Sequence, residues 1–288
     1  MNSNREVFIE TTSIIDYIFK TKYFVQIKSI LDNYDKKTTA HYVKMEIKRG
    51  FLQYLVYLHG KVVRCESLGE VSEAINKLAA TPQQHRYKTA WEAIEEYFKS
   101  IDKTKPSDII KKYGDIPLSQ SLKIDCEGYL RSIIRRLFRN VDRVVDEIVN
   151  PMKCFVDIES PRELGRLFDN TPSKCTGSQV ECNIKQFFRD NEEAFTKIRD
   201  KLDSKSKKEK IDNETQQRIS SLHKIFRLLP LNNRKFSNKE PEKVVQLCWR
   251  CGDAILAVTA PANADVLNHN RRHYDTLCDA IGKRSISY

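Results

Sequence analysis

The stretch Glu6-Val7-Phe8-Ile9-Glu10-Thr11-Thr12-Ser13-Ile14-Ile15 decides how the rest of the chain is read. Val7-Phe8-Ile9 is a short apolar run rich in β-formers, the pattern of a buried strand. It stops at an acid, and the three hydroxyl residues that follow are types that cap helix starts. Ile14, Ile15, Ile18 and Phe19 then recur at helical spacing, which predicts an amphipathic helix over residues 13–24.

Working outward, residues 41–59 mix Met45, Ile47, Leu52, Leu55, Val56 and Leu58 with Glu46, Lys48 and Arg49, a helical pattern that Gly50 interrupts. Beyond Gly60 the pattern stays helical, and X-Pro steps cut it into helices at about 67–80, 84–101, 120–149, 161–169, 181–203 and 212–229. The clearest is 120–149, where Leu130, Ile133, Ile134, Leu137, Val141, Val144, Val145 and Ile148 share one face and Asn150-Pro151 stops the helix. Residues 204–210, SKSKKEK, read as a solvated loop. Near the end, Ala264-Asp265-Val266-Leu267 is a short strand candidate, followed by a helix over about 274–281.

The chain has 288 residues, with 50 Lys+Arg against 39 Asp+Glu, a net charge of +11. That length fits about two domains of roughly 150 residues, or one domain with a large insertion. At 40% hydrophobic and 31% charged it is lean in core material, yet a chain of this size still buries a sizeable core, which excludes global disorder. The longest apolar run, 254–258, is far short of a membrane span. Arg5, Glu6 and Glu10 interrupt what would be the apolar part of a secretory signal, so the expected location is the cytoplasm. There the eight cysteines are expected to stay reduced, without a structural disulfide. The surplus of positive charge favours polyanionic partners.

Polar or acidic residues stand at the ends of apolar elements at Glu10, Glu46, Asp253 and the group Asp265, Asn268 and Asn270. Mg²⁺ and Mn²⁺ take such hard oxygen ligands, and a site of this kind supports phosphodiester cleavage. With 39 acids in the chain, helix caps and surface charge are the better explanation of these positions from spacing alone.

Four motifs in order add a resemblance. Val7-Phe8-Ile9-Glu10-Thr11-Thr12 resembles the first motif of PIN-domain nucleases, a buried strand delivering an acid. Tyr42-Val43-Lys44-Met45-Glu46-Ile47-Lys48-Arg49-Gly50 resembles the second, and Cys251-Gly252-Asp253-Ala254-Ile255-Leu256-Ala257 the third. Asp265-Val266-Leu267-Asn268-His269-Asn270-Arg271-Arg272-His273-Tyr274 is similar to the fourth, a strand running into a polar loop and then an aromatic. The first acid is Glu10 where the family usually has Asp, and the fourth position is open between Asn270 and Asp265.

The resemblance implies an α/β fold, a PIN-like three-layer domain with a short, mainly parallel sheet, built from residues 1–60 and 243–288, with 61–242 as a large α-helical insertion or cap. It implies a hydrolase, an Mg²⁺- or Mn²⁺-dependent endonuclease acting on RNA in preference to DNA. Glu10, Glu46 and Asp253 would be the metal ligands, with Asp265 and Asn270 completing the catalytic set and Thr12 orienting water. Asn268, Arg271 and Arg272 would lie on the substrate side. Arg131, Arg135, Arg139 and Arg143, four apart, draw a stripe beside the apolar face of the 120–149 helix that can track phosphates or pair with Asp142, Asp146 and Glu147. The insertion would select substrate or hold a regulatory protein partner, as in a toxin or antiviral effector kept in check. The alternative is a catalytically inactive PIN-like module that binds nucleic acid or protein.

Other chemistries fit less well. Cys248-Trp249-Arg250-Cys251 with Cys175 and Cys182 has the wrong spacing for a common zinc knuckle and reads as buried thiols. His41, His59, His269 and His273 read as packing or polar filler. There is no Gly-rich phosphate loop and no serine nucleophile elbow, which disfavours ATP-driven and acyl-transfer chemistry.

Overall fold

The structure is a computed structural model that describes residues 5–47, 52–79, 95–99, 106–114, 116–148, 184–228 and 250–288. The chain forms two compact units: Met1–Ile47 with Val141–Ile158 and Lys174–Tyr288, and Lys48–Asn140 with Glu159–Ser173.

The first unit is α/β. Strands β1 (Glu6–Ile9), β2 (Lys36–Thr38), β3 (Asp265–Asn268) and β4 (Ser285–Ser287) form one sheet in the order β2-β1-β3-β4. Every pairing is parallel, with Phe8 opposite both Thr38 and Val266, and Asn268 opposite Ser287. Val7, Phe8 and Ile9 are at most 1% exposed, so the central strand reads as a continuous apolar run and not as an alternation. The edge strands are three residues each and polar; lysines at the β2 edge oppose unwanted pairing with another chain. The strand order reverses between β1 and β3, and in open parallel sheets the crevice beyond the carboxyl ends at that reversal is where ligands bind.

Around the sheet lie α1 (Thr11–Phe19), α2 (Phe24–Leu31) and α3 (His41–Glu46). The helix expected over 13–24 is two helices, because Lys20 enters the left-handed region at φ 50° and Thr21 turns back onto Asp16, its hydroxyl 2.7 Å from the carboxylate.

The second unit is helical in its described residues: α4 (Gln53–Arg64), α5 (Leu68–Ala79), a helical stretch at 95–99, α6 (Pro106–Tyr113) and the start of α7 (Leu118–Ile148). Its core takes Leu130, Ile134 and Phe138 of α7, none of them exposed, and Tyr97, whose hydroxyl donates to the Leu122 carbonyl at 2.8 Å.

Helices α8 (Ile184–Asp190), α9 (Glu192–Lys208) and α10 (Asn213–Leu228) belong to the first unit, as do α11 (Gly252–Thr259) and α12 (Arg271–Ala280). Of the expected 61–242 insertion, α8 to α10 cluster with the sheet-bearing unit, α9 lying against α11 and α12. The loop expected at 204–210 is corrected, since α9 runs through it to Lys208. Phe195, Ile198 and Leu202 anchor that helix, and its lysine-rich last turn complements the carboxyl end of the helix dipole. The helix expected at 161–169, and Cys175, Cys182 and Cys248 of the weighed zinc set, lie outside the described residues. No helix among the described residues is long and apolar enough to cross a membrane.

Candidate carboxylate centre at the carboxyl edge of the sheet

Glu10 ends β1 and caps α1. Its Oε2 accepts from the Thr12 backbone N–H at 2.7 Å, and its Oε1 accepts from the Ser13 N–H and hydroxyl, each at 2.8 Å. A fourth donor, the His269 N–H at 3.2 Å, comes from the end of β3, so Glu10 bridges the two strands at the reversal. The side chain is buried, and desolvation outweighs these donors; with the added charge of Asp253 its pKa is pushed up from the ordinary 4.5 to about 7.

Glu46 closes the last turn of α3, where the Thr11 hydroxyl donates to its Oε2 and Tyr42 adds a further hydrogen bond. Desolvation raises its pKa to about 8, opposed by those hydroxyls and reinforced by the charges of Asp253 and Glu10. Gly252 explains how α11 comes so near: a Cβ there would lie 2.6 Å from Glu46 Oε1 and 3.1 Å from the Tyr42 hydroxyl. The glycine before Asp253 thus admits the third acid to the site.

Asp253 sits in the first turn of α11, directly paired with Arg218 of α10 and 3.3 Å from His273 Nδ1 of α12. Burial pushes its pKa up, but Arg218, His273 and the Tyr274 hydroxyl at 3.5 Å win, and the carboxyl stays below the usual range. His273 is raised in turn, first by its hydrogen bond to Asp253. The Tyr274 hydroxyl is pushed well above its ordinary value by burial and by the charges of Asp253, Glu10 and Glu46. Thr11, next to Glu10, holds Glu46, and Gly252, next to Asp253, lies against Glu46, so the three acids come from β1, α3 and α11 into one neighbourhood.

Of these three acids only Asp253 is paired with a described cation; Glu10 and Glu46 are held by hydrogen bonds and carry raised pKa values. Carboxylate oxygens are the ligand type that Mg²⁺ and Mn²⁺ take. Among the described residues the metal-ligating side chains whose ligand atoms all lie within 4.8 Å of one another are a different set, Glu214, Asp253 and His273. Arg218 Nη2, bonded to Asp253, 3.4 Å from Glu214 and 3.5 Å from His273, is already the cation of that group.

Two expected site residues, Asp265 and Asn268, make contacts of their own at the sheet. Asp265 starts β3 opposite Val7, about 10 Å in strand rise from the Glu10 end, and binds the Tyr34 hydroxyl at 2.6 Å with Arg5 and Arg284 at 3.9 Å. Asn268 is fully buried, and its amide joins β3 to β4 through the Ile286 carbonyl and Ser285 hydroxyl at 3.1 and 2.9 Å, so it fastens the sheet.

Asn270 reaches the centre through His273, its Nδ2 2.9 Å from Nδ1. Thr12 is exposed beside Glu10, and Arg271 and Arg272 are exposed on the first turn of α12, with Arg271 3.1 Å from Asp275. Arg131, Arg135 and Arg139 are exposed on α7 in the second unit, Arg131 paired with Glu127. Sequence reasoning missed Arg218, Thr11 and the contact of His273 with Asp253. His273 follows Asn270 by three residues, a readable signal; Arg218, inside a polar helical stretch, has none. Compared with protein-family models, with curated proteins and with solved structures, the chain finds no match in any of the three.

Proposed function

We propose that this protein is a PIN-like, metal-dependent phosphodiesterase, an endonuclease acting on RNA in preference to DNA. The observation that supports the reading is the approach of the three acids to one another: Thr11, next to Glu10, holds Glu46, and Gly252, next to Asp253, lies against Glu46 Oε1. These three acids would hold Mg²⁺ or Mn²⁺, and such an ion, when bound, activates water and stabilises charge on the phosphate. Thr11 and Tyr42 orient Glu46, while His273 and Tyr274 orient Asp253. Exposed Arg271 and Arg272 beside the centre would meet the phosphates of a strand, and the net charge of +11 favours that encounter. The helical second unit would select substrate or receive a regulatory partner.

One observation favours a second reading, an inactive module that binds nucleic acid or protein. Glu10 Oε1 already accepts three hydrogen bonds, the behaviour of a helix cap. Cleavage of labelled single-stranded RNA and DNA with Mn²⁺, Mg²⁺ or EDTA separates the two. The nuclease reading expects metal-dependent cutting that falls by about 100-fold or more in Asp253→Asn. Salt-sensitive binding with no cutting in any metal supports the module instead.

A further inference from the structure

The register of the sheet brings two rings together at its carboxyl edge. Asn268 at the end of β3 lies opposite Ser287 at the end of β4, so the next residues, His269 and Tyr288, leave the sheet side by side. Their ring centres are 5.2 Å apart, edge to face. Tyr23, on the turn between α1 and α2, completes a triangle, edge to face with His269 at 4.7 Å and with Tyr288 at 5.7 Å. All three residues are partly exposed, and the His269 side chain keeps 35% of its surface open to solvent.

A buried acid holds this group still. Asp16 Oδ2 accepts from the Tyr288 hydroxyl at 2.8 Å and lies 3.3 Å from His269 Nδ1, while Oδ1 accepts from the hydroxyl of Thr21, two residues before Tyr23. The Tyr23 hydroxyl has no hydrogen-bond partner among the described residues, so what this residue offers is its ring. An edge-to-face contact covers one face of one ring, and three such contacts cannot cover every face of three rings. Partly exposed rings set in place beforehand suit the flat face of a nucleobase at little ordering cost. The cluster adjoins the carboxylate centre, because His269 donates its own backbone N–H to Glu10 Oε1 at 3.2 Å. Charge also favours an anionic strand here. Lys22 Nζ lies 4.9 Å from the centre of the Tyr23 ring and Lys20 is exposed on the same turn, and neither has an ion-pair partner among the described residues.

We propose that Tyr23, His269 and Tyr288 form a base subsite beside the carboxylate centre, where an unpaired base of single-stranded RNA stacks on the exposed ring surface. The proposal rests on the nuclease reading for its strand and deepens it: a subsite that must receive an unstacked base selects single strands over duplexes.

The test measures binding in EDTA of a short labelled single-stranded RNA, and of an abasic strand of the same length, to the full chain as wild type, Tyr23→Phe and Tyr23→Leu. Circular dichroism checks folding. The wild type and Tyr23→Phe are expected to bind the RNA alike, since both keep the ring. Tyr23→Leu is expected to bind the RNA about tenfold or more weakly, the loss of one stacked base, and to match the wild type on the abasic strand. Its slope of log affinity against log salt is expected to stay that of the wild type, because no phosphate contact is lost. A leucine variant that keeps the wild-type affinity, or that loses as much on the abasic strand as on the RNA, would overturn the subsite. So would a wild type that binds the two strands equally or binds no RNA, and that comparison decides the matter if the leucine variant does not fold. Cutting of the same RNA by the wild type with Mn²⁺ is followed alongside: its absence counts against the nuclease reading, whereas absence of base dependence counts against the subsite.

Discussion

Glu10 and Glu46 bind their protons more tightly in the folded protein than in the unfolded chain, with pKa values of about 7 and 8 against an ordinary 4.5. Between these values the folded state holds more protons, so the stability of the metal-free protein falls as pH rises through about 5 to 8. His273, also raised, acts in the same direction. Thermal melts in EDTA across this range should show the decline, and Glu46→Gln should flatten it; a melting temperature that rises with pH would contradict the burial of these acids. Gly252→Ala forces Glu46 aside, because the new Cβ would come within 2.6 Å of its Oε1. The displaced atom ends a flexible side chain, so the fold should survive while Mn²⁺ affinity drops by about 10–100-fold, measured by calorimetry. Asn268→Ala should instead cost about 1–3 kcal/mol in chemical denaturation and leave the RNA affinity of the folded protein unchanged, since its amide serves the sheet. At this scale the three acids were legible, because each ends an apolar element or follows a glycine. Arg218 was not, because only its contacts with Asp253 of α11 and His273 of α12 mark a polar helix position as inward-facing.

Among the elements, the strand-acid-cap order of residues 6–13 was readable from a short run of β-formers stopped by an acid and helix-capping hydroxyls, and the apolar face of α7 from its helical period. Strands β2 and β4 were not. Lys36-Lys37-Thr38 and Ser285-Ile286-Ser287 hold too little apolar surface to signal a strand, and they pair because β1 and β3 offer them a parallel edge. Helix α9 overran its expected end for the opposite reason: buried Phe195, Ile198 and Leu202 secure it upstream, and a run of Ser and Lys can extend an exposed helix. Ser204→Pro is a direct check, expected to destabilise the protein by about 3 kcal/mol in urea or guanidinium unfolding. A loop there would tolerate the change with almost no loss.

For the whole molecule, the carboxylate centre belongs to the α/β unit and exposed Arg131, Arg135 and Arg139 of α7 to the helical unit, while Arg143 falls in the α/β unit. Their stripe was legible from spacing, whereas the boundary between units was not, because α8 to α10 have the same helical pattern as the second unit and differ only in what they pack against. If the stripe tracks a strand, replacing Arg131, Arg135 and Arg139 together by Gln should lower the salt slope of RNA binding by about 2, from roughly 0.7 per contact, without changing Mn²⁺ affinity. The central claim is that Glu10, Glu46 and Asp253 form one metal centre. An anomalous difference map from crystals of the full chain soaked in Mn²⁺ tests it most directly. The account predicts a peak about 2.0–2.6 Å from carboxylate oxygens of at least two of the three acids; a peak on Glu214 and His273 instead, or none in the first unit, would contradict it.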